Sequence, residues 1–354
     1  LRGLALLGWV LLFAVLSTTA AEWTGLGDVQ SPTWPTDIQA FREMHLDQPP
    51  DLVILGSSRA SFAMTPASFD ACMTSSLGRT TTTFNLARTF ATASSFERTW
   101  RTMLNTPERR PKVLLLALGP EALDDHNPMI PARLRADTPL ADVPRELVQV
   151  RSPDELLAVL RAPMRGIENI VATVFQRHRS DERLTWMMVH YGGGQWCEGS
   201  GACTQTNSNN SRVANRWDKI QDEFYTNVRQ QRFSDYTIGQ GRVHERFVGL
   251  LDAAAAAGTD VVLVRLPLHD DFREAVPPEA MAHYIALTDQ IAKDRGLTLF
   301  DAHKPSVTRE KRAWIDPDHL GPRASTRLSR EVCRTAVVPL LQAQAKAAAP
   351  AGGR

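Results

Sequence analysis

Five short apolar segments set the fold class of this chain. They are Leu52–Leu55 (LVIL), Thr82–Asn85 (TTFN), Val113–Leu118 (VLLLAL), Val261–Leu266 (VVLVRL) and Leu297–Phe300 (LTLF). Each is continuous or nearly so, which is how a strand covered on both faces reads. Stretches of helical composition separate them. Residues 87–104 precede Pro111, and residues 243–257 repeat apolar positions at helical spacing and stop at Gly258. Residues 278–295 are closed by Gly296, and residues 325–347 run into an Ala/Pro/Gly tail, 344–354, that is expected to fray. Strand and helix in alternation predict a three-layer α/β sandwich around a five-stranded parallel sheet.

The third and fourth segments are separated by about 140 residues, far beyond a simple crossover. Residues 131–240 therefore read as a large insertion after strand 3, between two parts of the main domain, 22–130 and 241–343. Helical pieces at 153–160 and 167–175 fall in its first half. Its middle, 191–212, is rich in Gly, Ser, Asn and Thr and reads as an ordered loop or a flap.

The first 21 residues read as an export signal. Leu4–Leu16 (LALLGWVLLFAVL) carries no charge, follows Arg2, and leads into small residues up to Ala21. The run is shorter than the ~20 residues of an ordinary spanning helix. It fits the core of a cleaved secretory signal or a short membrane anchor, and both readings stay open. Export to a periplasmic or cell-surface location gives the cysteines meaning. Cys197 and Cys203 bracket a five-residue loop, Glu198–Ala202, which can close as a local disulfide hairpin in an oxidising compartment. Cys72 and Cys333 fall in expected helices, where buried thiols are the plain reading. Lys plus Arg total 40 against 39 Asp plus Glu, a net charge of +1, which gives no support for nucleic-acid binding.

Two places carry chemistry. The first strand runs into Leu55-Gly56-Ser57-Ser58-Arg59-Ala60. A serine at the entrance of a helix after a tight glycine turn is well placed as a nucleophile, because the helix N-terminus offers N–H groups to an oxyanion. It can equally cap that helix. Before the last helix the chain reads Trp314-Ile315-Asp316-Pro317-Asp318-His319. His319 can take the serine proton while Asp316 orients its ring. In a parallel sheet both places fall at the carboxyl edge, where ligands bind. Arg59 is a candidate for holding Asp316 or a substrate, against a solvated helix residue or a structural ion pair. His269, after the fourth strand, is a candidate substrate contact, against a plain loop histidine. Trp196 and Trp314 are candidates for stacking on a sugar, against a core role. Asp124, Asp125 and His126 are adjacent in one loop, an arrangement that rarely converges on an ion, so neither metal nor cofactor is expected.

At these residues the sequence resembles the SGNH/GDSL hydrolase superfamily. DLVILGSSRASFAMTP is similar to the first block of that family, FNLARTFATAS to the second and WIDPDHLGPRAS to the last. The resemblance covers residues 50–125 and 240–342 and leaves the insertion out. It implies Ser58 as nucleophile, and Asp316 and His319 as its acid–base partners. It also implies a flavodoxin-like strand order 2-1-3-4-5, with the first and last helices on one face, close enough for a Cys72–Cys333 disulfide. The chain departs from the family at two oxyanion donors. Arg88-Thr89-Phe90-Ala91 lacks the usual glycine, and Leu118-Gly119-Pro120-Glu121-Ala122 lacks the usual asparagine. Asn85 is the candidate replacement donor, with helix capping as its other reading. The Gly-Ser-Ser-Arg form of the first block resembles exported proteins of cell-surface polysaccharide acetylation. It implies an O-acyl esterase or O-acetyltransferase on carbohydrate, with an acylated sugar or acyl donor as partner and a membrane-bound O-acyltransferase as a second one. A non-catalytic polysaccharide-binding or scaffold module is the alternative.

Overall fold

A computed structural model describes residues 41, 48–88, 91–127, 130–131, 138, 142–162, 196–197, 203–204, 236–302, 313–316 and 319–348. The chain divides into two compact units, residues 1–40 with 128–192, and residues 41–127 with 193–354. The second unit begins with β1 (Leu52–Gly56), α1 (Ser58–Ala63), α2 (Pro66–Leu77), β2 (Thr83–Asn85), α3 (Ala93–Thr99) and β3 (Val113–Leu118). The first unit contributes α4 (Val143–Val148) and α5 (Pro153–Arg161). The second unit then continues with β4 (Trp196–Cys197), β5 (Cys203–Thr204), α6 (Gly241–Ala256), β6 (Asp260–Arg265), α7 (Asp270–Ala275), α8 (Pro278–Arg295) and β7 (Thr298–Asp301). It ends with the hairpin β8 (Trp314–Asp316) and β9 (His319–Leu320), then α9 (Pro322–Val332), a π turn (Cys333–Val337) and α10 (Val338–Ala348).

The five long-range strands pair in parallel in the order β2-β1-β3-β6-β7. Counted along the chain, that is the order 2-1-3-4-5. Every residue of β1 and β3 is buried, which explains why both read as unbroken apolar runs. Alternate residues point to one face. Leu52, Ile54, Val113, Leu115, Val262 and Val264 meet Phe69 and Met73 of α2 and Leu328 and Val332 of α9 in a single core cluster. On that face the Cys72–Cys333 disulfide joins α2 to the π turn after α9, with Cα atoms 6.5 Å apart. In the β4–β5 pair, Cys197 stands opposite Cys203 in antiparallel register.

The amino edge of the sheet is tied by one buried acid. Asp51 accepts both Nη1 and Nη2 of Arg79, Nζ of Lys112 and the Thr82 N–H. Burial alone would raise its pKa, but the bonds from Arg79 and Lys112 outweigh that and hold the carboxyl below its ordinary value. In the first unit, the Ser152 hydroxyl caps α5 by accepting the Glu155 N–H, and the Glu155 carboxylate accepts the Arg151 N–H in return. Residues 167–175, most of 191–212, the Leu4–Leu16 run and the 349–354 end of the tail lie outside the described residues. Among the described residues no helix is long and apolar enough to cross a membrane.

Candidate active site

Gly56 ends β1 and makes the turn into α1 possible. A Cβ there would lie 2.3 Å from the Ala60 Cβ and 3.0 Å from the Ala117 carbonyl oxygen. Only glycine lets the helix start so close to β3. Ser57 is the N-cap residue, with extended backbone angles, yet its hydroxyl makes no capping bond. Its carbonyl instead accepts the Ala60 and Ser61 N–H groups. Ser58 is the first residue of the helix, where the backbone N–H has no acceptor within the helix.

The Ser58 hydroxyl has a distant partner. His319 Nε2 lies 3.0 Å from Ser58 Oγ, across 261 residues of sequence. With Nε2 unprotonated, the hydroxyl donates to it. The imidazole packs on Phe62 of α1, with ring centroids 4.5 Å apart. Phe62 is fixed in turn, because the Ser325 hydroxyl of α9 donates to its carbonyl. Ser329 does the same for Ala63 at 3.3 Å and accepts the Thr65 N–H at 2.8 Å. Through these bonds α9 carries His319, on the strand just before it, to α1. In the β8–β9 hairpin Asp316 stands opposite His319 in the backbone register. The Asp316 side chain lies outside the described residues.

Asn85 stands at the end of β2, and its amide is committed. Nδ2 donates to the Met64 carbonyl at 2.8 Å and to the Ala60 carbonyl at 3.3 Å, while Oδ1 accepts the Ala87 N–H. Both carbonyls lie at the C-terminal end of α1, and that of Ala60 also accepts the Met64 N–H. Both amide hydrogens are used there, which corrects the expectation of an oxyanion donor: Asn85 holds the C-terminal end of α1.

Arg59 is buried and pairs with Glu121, Nη1 to Oε2 at 2.7 Å, with its guanidinium 3.9 Å above the Phe272 ring. Of its readings, the structure shows the ion pair and not a solvated side chain. His269 is half-buried and meets Trp314 edge-on, with ring centroids 5.4 Å apart. Trp314 is 6% exposed and belongs to the core cluster, so its face is not open to a sugar. The Trp196 side chain lies outside the described residues. Asp124, Asp125 and His126 do not converge. Asp124 Oδ1 accepts the His126 and Thr237 N–H groups, Asp125 accepts the Val243 N–H, and His126 Nδ1 meets the Thr237 hydroxyl. They moor residues 237–243 to the exit of β3. Burial raises the Asp124 carboxyl to about 6 despite the backbone bonds. Among the described residues no cluster of His, Cys, Asp and Glu is gathered as a metal site needs.

Glu121, Phe62 and Phe272 were not singled out from sequence. One signal for Glu121 was available. An acid just past strand 3 and a base just past strand 1 fall beside each other, because those strands are neighbours at the same edge.

No model of a known protein family matches this sequence, and no curated protein does. Solved structures similar to it include a candidate acylhydrolase from Bacteroides fragilis, at 11% identity over 88% of this chain and 99% of that one, with TM-score 0.40. TesA is similar at 12% identity over 83% of this chain and 99% of that one, with TM-score 0.36. A candidate GDSL-like lipase from Parabacteroides merdae is similar at 7% identity over 83% and 99%, with TM-score 0.35. The fold assignment rests on the sheet order itself.

Proposed function

We propose that this chain is an exported serine O-acyl esterase or O-acetyltransferase of the SGNH type, acting on acyl groups of cell-surface carbohydrate. The observation that carries the reading is the 3.0 Å approach of Ser58 Oγ to His319 Nε2 at the carboxyl edge of the sheet. Ser58 Oγ attacks the acyl carbonyl carbon, and its proton passes to Nε2. The Ser58 N–H meets the oxyanion. Collapse of the tetrahedral species breaks the ester bond, and Nε2 returns the proton to the leaving alcohol. Water or a sugar hydroxyl then attacks the acyl-serine, giving its proton to Nε2, and Ser58 leaves with that proton restored. Water makes the chain an esterase; a sugar hydroxyl makes it a transferase. In this reading Asp316 orients the imidazole and stabilises its protonated form.

The Cys72–Cys333 disulfide supports export, since such bonds persist in oxidising compartments. The carbohydrate substrate and the acyltransferase partner rest on the resemblance of the first block. A second reading, a non-catalytic binding or scaffold module, draws support from Asn85, whose amide is spent inside the fold. Hydrolysis of a chromogenic acetyl ester by the purified chain, beside Ser58→Ala and His319→Ala, separates the two. Activity lost in both variants supports the enzyme. No activity and no phosphonate label on Ser58 support the binding module.

A further inference from the structure

The Arg59–Glu121 pair lies beside the nucleophile, and its surroundings are built for it. Arg59 follows Ser58 on α1, and its guanidinium reaches Glu121 on the loop after β3 and the Phe272 ring on α7, which follows β6. One side chain thereby joins the loops at the carboxyl ends of three neighbouring strands. Gly119 makes room for the pair. A Cβ there would lie 2.6 Å from Arg59 Nη1 and 2.7 Å from both Glu121 carboxylate oxygens. The loop that presents Glu121 is itself anchored through its carbonyls. Tyr284 donates to Leu118 O at 3.0 Å, Tyr236 to Pro120 O at 2.8 Å and Asn127 Nδ2 to Glu121 O at 2.9 Å. A buried ion pair gives little net stability over an apolar pair of the same volume, because desolvation offsets the attraction. What such a pair does provide is a fixed geometry, and here the residue it fixes is covalently next to Ser58.

We propose that Arg59, locked by Glu121 and Phe272, is the positioning residue that sets the direction of Ser58 towards His319. The inference rests on the serine-enzyme reading above. Ser58 lies on a helix of only six residues, whose far end is held by Asn85 and Ser329. Its near end turns on Gly56, and the Arg59 clamp is what joins that end to the rigid β3 loop.

The test uses the full chain and two probes, a fluorophosphonate that labels Ser58 and a chromogenic acetyl ester. Glu121→Gln keeps the shape and removes the charge. Its labelling rate and kcat are expected to fall roughly 10–100-fold, with KM within about twofold, as for a misaimed nucleophile. Glu121→Asp, which keeps the carboxylate, is expected to recover part of the loss. A Glu121→Gln protein that unfolds cooperatively near the wild-type temperature and labels at the wild-type rate would overturn the proposal. If that variant does not fold, Phe272→Leu takes its place, with slower labelling expected and an unchanged rate overturning it. Wild-type protein that neither labels nor hydrolyses sinks the enzyme reading and this one together. Wild-type reactivity that Glu121→Gln fully retains sinks only the clamp.

Discussion

Ser58 and His319 stand 261 residues apart in sequence, and so do Cys72 and Cys333. The matching offset reflects two segments that run side by side, α1–α2 and β9–α9, joined between those ends by Ser325 to Phe62 and Ser329 to Ala63. One end of this paired ladder holds the proposed nucleophile and its base, and the other is closed covalently. In the proposed mechanism, removing either member of the dyad is the first test. Ser58→Ala and His319→Ala are each expected to lower ester hydrolysis by roughly 10³–10⁶-fold with little change in melting temperature. Steady-state kinetics on a chromogenic ester checks both.

Opening the other end should loosen the dyad without touching it. Cys72→Ser with Cys333→Ser removes a cross-link between α2 and the turn after α9. The loss is expected to be about 2–5 kcal/mol. Thermal melts with and without reductant measure it. The wild-type melt should drop in reductant, and that of the double variant should not move.

Asn85 separates a structural role from a catalytic one. Asn85→Ala leaves the Ala60 and Met64 carbonyls and the Ala87 N–H without their side-chain partner. It should cost about 1–3 kcal/mol of stability. An oxyanion donor would instead leave the melt intact and lower kcat by about 10²–10³. Denaturant unfolding of Asn85→Ala beside its kcat distinguishes the two.

Gly56→Ala is expected to be worse than a surface change of the same size. Its methyl would overlap the Ala60 Cβ, so α1 must shift and carry Ser58 with it. A loss of about 1–3 kcal/mol is expected. Ester hydrolysis should fall by up to about 10²-fold. Unfolding curves and kcat read the two effects on one sample.

Three carboxyls give stability a pH dependence with opposite slopes. Burial raises Asp70 to about 6, against 3.8 for a free side chain, despite the Thr83 hydroxyl that donates to it, and Asp124 also rises to about 6. The folded state holds those protons more tightly, so their contribution is full below about 4 and is lost as pH rises through 6. Asp51 is lowered, so its contribution is present at neutral pH and is lost as pH falls below the ordinary value of 3.8. Melting temperature against pH should fall between about 4 and 6. Asp70→Asn should flatten that limb, and Asp51→Asn should flatten the acid one.

Much of the fold was legible because its signal is local. β1 and β3 are buried at every position, and continuous apolar runs announced them. Gly258 and Gly296 both adopt positive φ, where the chain leaves α6 and α8. The hairpin of β8 and β9, three and two residues long, was not foreseen, since so short a pair has no periodicity to read. Nor was the break between α1 and α2 foreseen, although Pro66 sits at the start of the second helix. In the site, the residue types and the shared sheet edge were enough to bring Ser58 and His319 to notice. The work of Asn85 was not legible, because two of its three partners are backbone carbonyls of another element. Glu121 was hidden for a similar reason: its meaning depends on Arg59, which only the strand order brings beside it.

The offset between Ser58 and His319 has a consequence for how the molecule is made. Ser58 is made first, and His319 follows 261 residues later. At a synthesis rate of about 5–20 residues per second, that gap lasts roughly 13–50 s. Throughout it the growing chain carries Ser58 with no His319 to take its proton. In the proposed mechanism the chain is chemically silent during that interval, and so is any product truncated before His319. In that mechanism the dyad first exists when β9 has been made and has paired with α1.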